Sequence, residues 1–100
     1  MEFMIDEGMK RLHATVMGRV QGVSYRYFVI EQAASLDLTG WVRNRLNGSV
    51  EVTAEGSQQK LETLLADLQA GPPMARVENI DFEWLPWTGE FTGFNMISTV

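Results

Sequence analysis

One hundred residues with 45% apolar content, nine Gly and three Pro describe a single compact domain, with no room for a second. The absence of Cys excludes disulfide scaffolds, thiolate zinc sites and cysteine nucleophiles, and a lone histidine, His13, excludes a two-histidine metal site. A net charge of −5 argues against general nucleic-acid binding, and no apolar run approaches the ~18 residues of a membrane span.

Residues 1–9 show no periodicity and read as an N-terminal extension to a domain over 10–100. Their acidic start lacks the basic and apolar regions of a signal peptide, so a soluble, cytoplasmic protein is expected, monomeric and without nucleic-acid or membrane partners. From Lys10 to Met17 the apolar Leu12, Ala14 and Val16 alternate with Arg11, His13 and Thr15, the period of a strand with one buried face. Gly18-Arg-Val-Gln-Gly22 breaks the pattern. From about Ser24 to Leu36, positions 25, 28, 29, 33 and 36 are apolar and line one face of a helix.

A second strand is predicted from Trp41 to about Arg45, and Asn47-Gly48 then marks a hairpin. Beyond it Val50, Val52 and Ala54 alternate with Glu51, Thr53 and Glu55. Ser57 is a candidate cap for a helix whose Leu61, Leu64, Leu65 and Leu68 share a face, and Gly71-Pro72-Pro73 ends it. Val77, Ile80, Phe82 and Trp84 suggest a fourth strand, and Phe94, Met96 and Ile97 a short last one. Two helices, each apolar on one side, must cover the same face of one mostly antiparallel sheet, because a domain this small has one core. The order βαββαβ, plus a short extra strand, predicts an α+β, ferredoxin-like two-layer sandwich, a fold that by itself implies no function.

Charge is unevenly spread. Residues 10–45 hold six Lys or Arg against two acids, a local balance of +4, while the rest holds two against eleven, a balance of −9. One basic segment in an acidic protein suits capture of a small anion. The loop Gly18, Arg19, Val20, Gln21, Gly22, Val23 joins a strand end to a helix start, where free backbone N–H groups and the positive end of the helix dipole converge. Its two glycines permit a turn tight enough to aim several N–H groups at one phosphate. Arg26, in the first turn of the helix, can grip the same anion in bidentate fashion. The loop lacks the spacing of a nucleotide-binding P-loop, and Gly-rich strand-to-helix turns also occur as plain connections.

Asn44 is a polar amide on the strand face of Val42, close to the strand end. Asn47 already fills the turn role, so the Asn44 amide is available to orient a water beside a bound phosphate, although a turn-associated Asn is the plainer alternative. Ser24 reads as a helix-terminal hydroxyl rather than a nucleophile, since His13 lies on an alternating strand with no visible carboxylate to orient it. The pairs Asp81/Glu83 and Glu51/Glu55 fall at positions expected to face solvent. Trp41, Trp84 and Trp87 suit core or rim packing better than ligand stacking.

Gly18-Arg-Val-Gln-Gly-Val-Ser-Tyr-Arg26, followed by Gly40-Trp-Val-Arg-Asn44 and Gly48-Ser-Val-Glu-Val, resembles the acylphosphatases over roughly residues 10–98. The resemblance implies an α/β sandwich that hydrolyses the carboxyl–phosphate bond of acyl phosphates to a carboxylate and inorganic phosphate, without metal or cofactor. It also implies that Gly18 to Val23 form the phosphate cradle, that Arg26 binds phosphate and that Asn44 orients the water. Arg45, following Asn44, is expected to make the site more positive. In compact members the terminal carboxylate approaches the catalytic arginine, a role not assigned here to Val100.

Three alternatives compete with this reading. A non-catalytic, small-anion-binding regulatory module would need the cradle and Arg26 but has less need of Asn44. An RNA-binding sheet is disfavoured because Ser49 to Glu55 is acidic and has no aromatic. An accessory domain of a larger carbamoyl-transfer enzyme is disfavoured by the missing zinc-finger cysteines.

Overall fold

A computed structural model describes residues 8–100. Its elements run β1 (Met9–Arg19), α1 (Tyr25–Ser35), β2 (Thr39–Asn44), β3 (Val50–Ser57), α2 (Gln58–Ala70), β4 (Arg76–Pro86) and β5 (Phe94–Met96). The five strands form one sheet in the order β4-β1-β3-β2-β5, antiparallel except for the β2–β5 pair. Both helices pack on one face, the two-layer ferredoxin-like arrangement predicted. Residues 1–7 of the predicted extension lie outside the described residues, while Met9 already pairs with Ser57 in β1. Among the described residues no helix is long and apolar enough to cross a membrane.

The alternation in β1 sends Leu12, Ala14 and Val16 into the helix layer, where they meet Val29 and Ala33 of α1 and Leu61, Leu64 and Leu68 of α2, all fully buried. Each buried leucine stabilises the fold by about 1.5–3 kcal/mol. Ser57 caps α2 by accepting the Lys60 N–H at 3.3 Å, and Gly71 ends it with a positive φ of 66° that favours glycine. The hairpin signalled by Asn47-Gly48 is a three-residue loop. Arg45 N–H donates to the Ser49 carbonyl at 2.9 Å, and Asn47 Oδ1 accepts from the Ser49 N–H and hydroxyl.

The weak alternation around Val77 has a physical cause. Register shifts between Met17, opposite Asn79, and Gly18, opposite Val77, so Glu78 is the extra residue of a bulge. Val77 and Ile80, three apart, therefore both pack on the core. A Cβ on Gly18 (φ 131°) would overlap the Arg76 carbonyl oxygen and stand 2.8 Å from the Glu78 nitrogen. Gly18→Ala is expected to destabilise the protein by about 2–3 kcal/mol. A fall in the urea midpoint with an unchanged slope would register it.

The expectation that Glu51 and Glu55 face solvent is corrected. They are only 6% and 1% exposed. Their side chains do point to the sheet face opposite the helices, but that face is roofed by charged partners and by residues 88–90. Glu55 accepts from Arg11 Nε at 2.7 Å, from the Thr88 N–H and hydroxyl at 2.9 Å and from the Gly89 N–H at 2.9 Å. On the helix side of the sheet, Phe82 and Trp84 of the edge strand β4, opposite Ala14 and Leu12, remain 48% and 37% exposed. They pack edge-to-face with ring centroids 6.3 Å apart.

Candidate active site

Chain geometry brings two distant segments together. Helix α1 has 11 residues and strand β2 six, so they rise about 16 and 20 Å and, joined by a short link, run antiparallel. The end of β2 therefore lies beside the start of α1. Gln21 fixes this proximity, because its side-chain amide donates to the carbonyls of Arg45 at 2.8 Å and Ser49 at 2.9 Å. The loop is thereby stapled to the residue that follows Asn44.

The loop itself is arranged to present donors. Gly22 (φ 74°) and Ser24 (φ 64°, ψ 22°) both adopt left-handed conformations, unusual for a serine. Ser24 makes no side-chain cap, so its hydroxyl does not fill the helix start. The main-chain N–H groups from Gln21 to Tyr27 have no acceptor among the described residues, as a helix N-terminus that binds an anion requires. A hollow of about 250 Å³ lies here, lined by Val20, Gly22, Ser24, Tyr25, Arg26 and Tyr27. The Arg26 side chain is half-buried, and no hydrogen bond or ion pair among the described residues occupies its guanidinium. Tyr25 anchors this corner: it is 1% exposed, its hydroxyl donates to the Leu68 carbonyl at 2.6 Å, and burial raises its pKa.

Asn44 faces the same layer. Its strand neighbours on that face, Gly40 and Val42, sit opposite Ala54 and Val52, and Asn44 sits opposite Val50. Its Oδ1 is withdrawn from solvent and accepts no hydrogen bond among the described residues. Buried polar atoms are rarely left unpaired, and an orphan acceptor of this kind marks a place where a water or ligand donor fits. The last residues brace the strand end: Val100 N–H donates to the Asn44 carbonyl at 3.3 Å, and the Val100 carbonyl accepts from Leu46 N–H at 2.7 Å.

Of the sequence candidates, Gly18 to Val23, Arg26 and Asn44 thus collect at one end of the sheet. Arg45 does not add charge there. Its guanidinium turns to Glu51 on the far face, at 3.1 Å, because Glu51 already gathers Arg43 at 2.8 Å and His13 at 2.7 Å. His13 is likewise corrected: it has carboxylates at both ring nitrogens, Glu51 and Glu83, the latter at 3.5 Å. Its side chain lies on the face opposite the hollow, by the alternation of β1, where a second hollow of about 300 Å³ is bounded by His13, Thr15, Asp81, Phe82 and Glu83. Trp41, opposite Thr53, lies on the far face too, with the Arg43 guanidinium stacked 4.8 Å from its ring. The roles of Gln21 as a strut and Tyr25 as an anchor were not readable from the sequence. The one available signal was a long amide between two loop residues that otherwise contribute only backbone.

Burial pushes the Glu51 pKa up, but hydrogen bonds from His13, Arg43 and Arg45 outweigh it and hold the carboxyl at about 2. A folded-state pKa below the unfolded value of about 4.5 makes this carboxylate stabilising above pH ~4.5, and that contribution disappears as pH falls towards 2. Urea midpoints measured between pH 5 and 2 should therefore drop, and Glu51→Gln should flatten part of that slope.

A family model described as acylphosphatase matches residues 12–96. An acylphosphatase of Methylococcus capsulatus is 49% identical over 92 residues, covering 92% of this chain and 100% of that one. The solved structure of an acylphosphatase from Coxiella burnetii superposes with a TM-score of 0.86 at 36% identity, covering 92% of this chain and 96% of that one. The crystal structure of acylphosphatase from Bacillus subtilis gives 0.85 at 34% identity, covering 88% and 98%. Sequence and backbone agree along nearly the whole domain, and the chain belongs to the acylphosphatase family.

Proposed function

We propose that this acylphosphatase cleaves the carboxyl–phosphate bond by direct attack of one positioned water on phosphorus, with Arg26 and Asn44 as its catalytic residues. The phosphoryl group occupies the hollow at the start of α1. The loop from Gly18 to Val23, with the first-turn N–H groups, donates to its oxygens, and the Arg26 guanidinium neutralises them. As the P–O bond loosens, charge spreads over the equatorial oxygens, and a fixed ring of donors stabilises that distribution without reorganising. Asn44 Oδ1 accepts a hydrogen from the water and aims its lone pair at phosphorus. The departing carboxylate is a weak base, with a pKa near 4, so it leaves without a general acid. Positioning then supplies the catalysis.

The buried, unpartnered Asn44 Oδ1 carries this reading. A module that only bound anions would gain nothing from an amide acceptor beside a phosphate, since acceptors repel phosphate oxygens. No imidazole is available to act as base, because His13 is engaged with Glu51 on the other side of the sheet. We take residues 9–100, from the start of β1, as the working unit, a cytoplasmic monomer acting on small-molecule acyl phosphates. Family identity over 12–96 supports that unit. The test is hydrolysis of benzoyl phosphate in ¹⁸O-water with excess chelator. Label appearing in phosphate and not in benzoate, with no burst of enzyme-bound phosphate, is the expected result. Label in benzoate would place the attack on carbon, and a burst would indicate a phosphoenzyme.

A further inference from the structure

Of the chain's asparagines only Asn47 is followed by glycine, and the Asn47-Gly48 pair stands exposed at the tip of the β2–β3 hairpin. A glycine after asparagine leaves the next backbone nitrogen unshielded by any side chain. Here a Cβ built on Gly48 would meet nothing within 4 Å, so no neighbour obstructs a ring closing on that nitrogen.

The hairpin adds activation to this access. Asn47 Oδ1 accepts from the Ser49 N–H at 3.0 Å and from the Ser49 hydroxyl at 2.6 Å, which folds the carboxamide back over the Asn47–Gly48 peptide. Ser49 is only 3% exposed, so both donors are held in place. If the Gly48 nitrogen attacks Asn47 Cγ, negative charge gathers on the oxygen that these donors already face.

We propose that Asn47 is a site of self-modification, at which the Gly48 nitrogen displaces the side-chain amide and the enzyme loses activity as the product accumulates. The Gly48 nitrogen gives its proton to hydroxide and bonds to Asn47 Cγ. The Cγ–Nδ2 bond then breaks, and Nδ2 takes a proton from water and leaves as ammonia, which closes a succinimide. Water opens either of the two imide carbonyls, giving aspartate or isoaspartate at position 47.

The hairpin carries the change to the phosphate cradle. Gly48 N–H donates to the Arg45 carbonyl at 3.0 Å, and an imide nitrogen has no hydrogen to give. Isoaspartate then routes the main chain through the Asn47 Cβ, lengthening the tight loop between Arg45 and Ser49 by a methylene. The carbonyls of these two residues are the ones that hold Gln21, so the strut moves and the cradle with it. Aspartate, by contrast, keeps the backbone and an acceptor for Ser49.

The test incubates the full chain at mildly alkaline pH and follows the tryptic peptide from Leu46 to Lys60, in which Asn47 is the only asparagine. The expected result is the mass gain of an amide becoming a carboxyl, with label taken up from ¹⁸O-water, at least as fast as in the free peptide. Labelling by an isoaspartyl methyltransferase identifies the isoaspartate. Ser49→Ala, which deletes the nearer donor, should slow the gain by on the order of tenfold. The kcat/KM for benzoyl phosphate should fall in step with the isoaspartyl fraction, a form on the order of tenfold less active. Asn47→Asp should begin at the wild-type level and decline far more slowly. Modification confined to the free peptide, a rate that Ser49→Ala leaves unchanged or raises, or isoaspartate that accumulates without loss of activity overturns the proposal. A folded wild type that never hydrolyses benzoyl phosphate would instead refute the hydrolase reading, while the mass gain still judges the modification.

Discussion

Replacing Arg26 with alanine should lower kcat/KM for benzoyl phosphate by on the order of 10²–10³ or more, by analogy with loss of one transition-state donor. The effect is large because the guanidinium is the one full positive charge lining the hollow, where the remaining donors are backbone amides. Stability should change little, since no bond among the described residues holds the side chain. Arg26→Lys should recover only part of the activity, because an ammonium keeps the charge but loses the planar fork that grips two phosphate oxygens. Steady-state kinetics beside urea unfolding would separate the two effects. Near-normal turnover by a folded alanine variant would contradict the assignment.

Asn44→Ala should lose about 10² in kcat with KM nearly unchanged, because the amide acts on the water and not on the substrate. Its stability should move the other way. An unsatisfied buried acceptor costs about 1–3 kcal/mol, so removing it should leave the fold as stable or more so. A variant that loses activity while its urea midpoint holds or rises would separate a catalytic amide from a structural one. Asn44→Asp offers a second check: it keeps an acceptor but adds negative charge beside the phosphoryl oxygens, so KM should rise. A destabilised Asn44→Ala with normal turnover would return the residue to a turn-associated role.

The parts of the fold readable in advance were those governed by local rules. Leucine spacing and the Ser57 cap marked α2, and Asn47-Gly48 marked the hairpin, because each depends on neighbours within a few residues. Strand β4 was harder, since its bulge at Glu78 is set by the tight approach of Gly18 from another strand. Alternation correctly assigned Glu51 and Glu55 to the face away from the helices, but it says nothing of what covers that face. Their partners Arg11, His13 and Thr88 lie 33–44 residues away. In the site, spacing put the loop and Arg26 at one strand–helix junction, and Asn44 stood out as a polar residue on an apolar face. The Gln21 strut was hidden because the carbonyls it binds come into reach only when the sheet is assembled.

The exposed aromatic pair on β4 bears on self-association. A free edge carrying Phe82 and Trp84 invites a second copy to add its own β4. An antiparallel pairing centred on Phe82 would set Asp81 of each copy against Glu83 of the other, two like-charge clashes at directly opposed positions. The acidic residues flanking the aromatics therefore act as gatekeepers, and the bulge at Glu78 spoils the flatness that a continuous intermolecular ladder needs. Removing those charges by Asp81→Asn together with Glu83→Gln removes the repulsion and leaves a sticky edge, so that variant should aggregate through this strand.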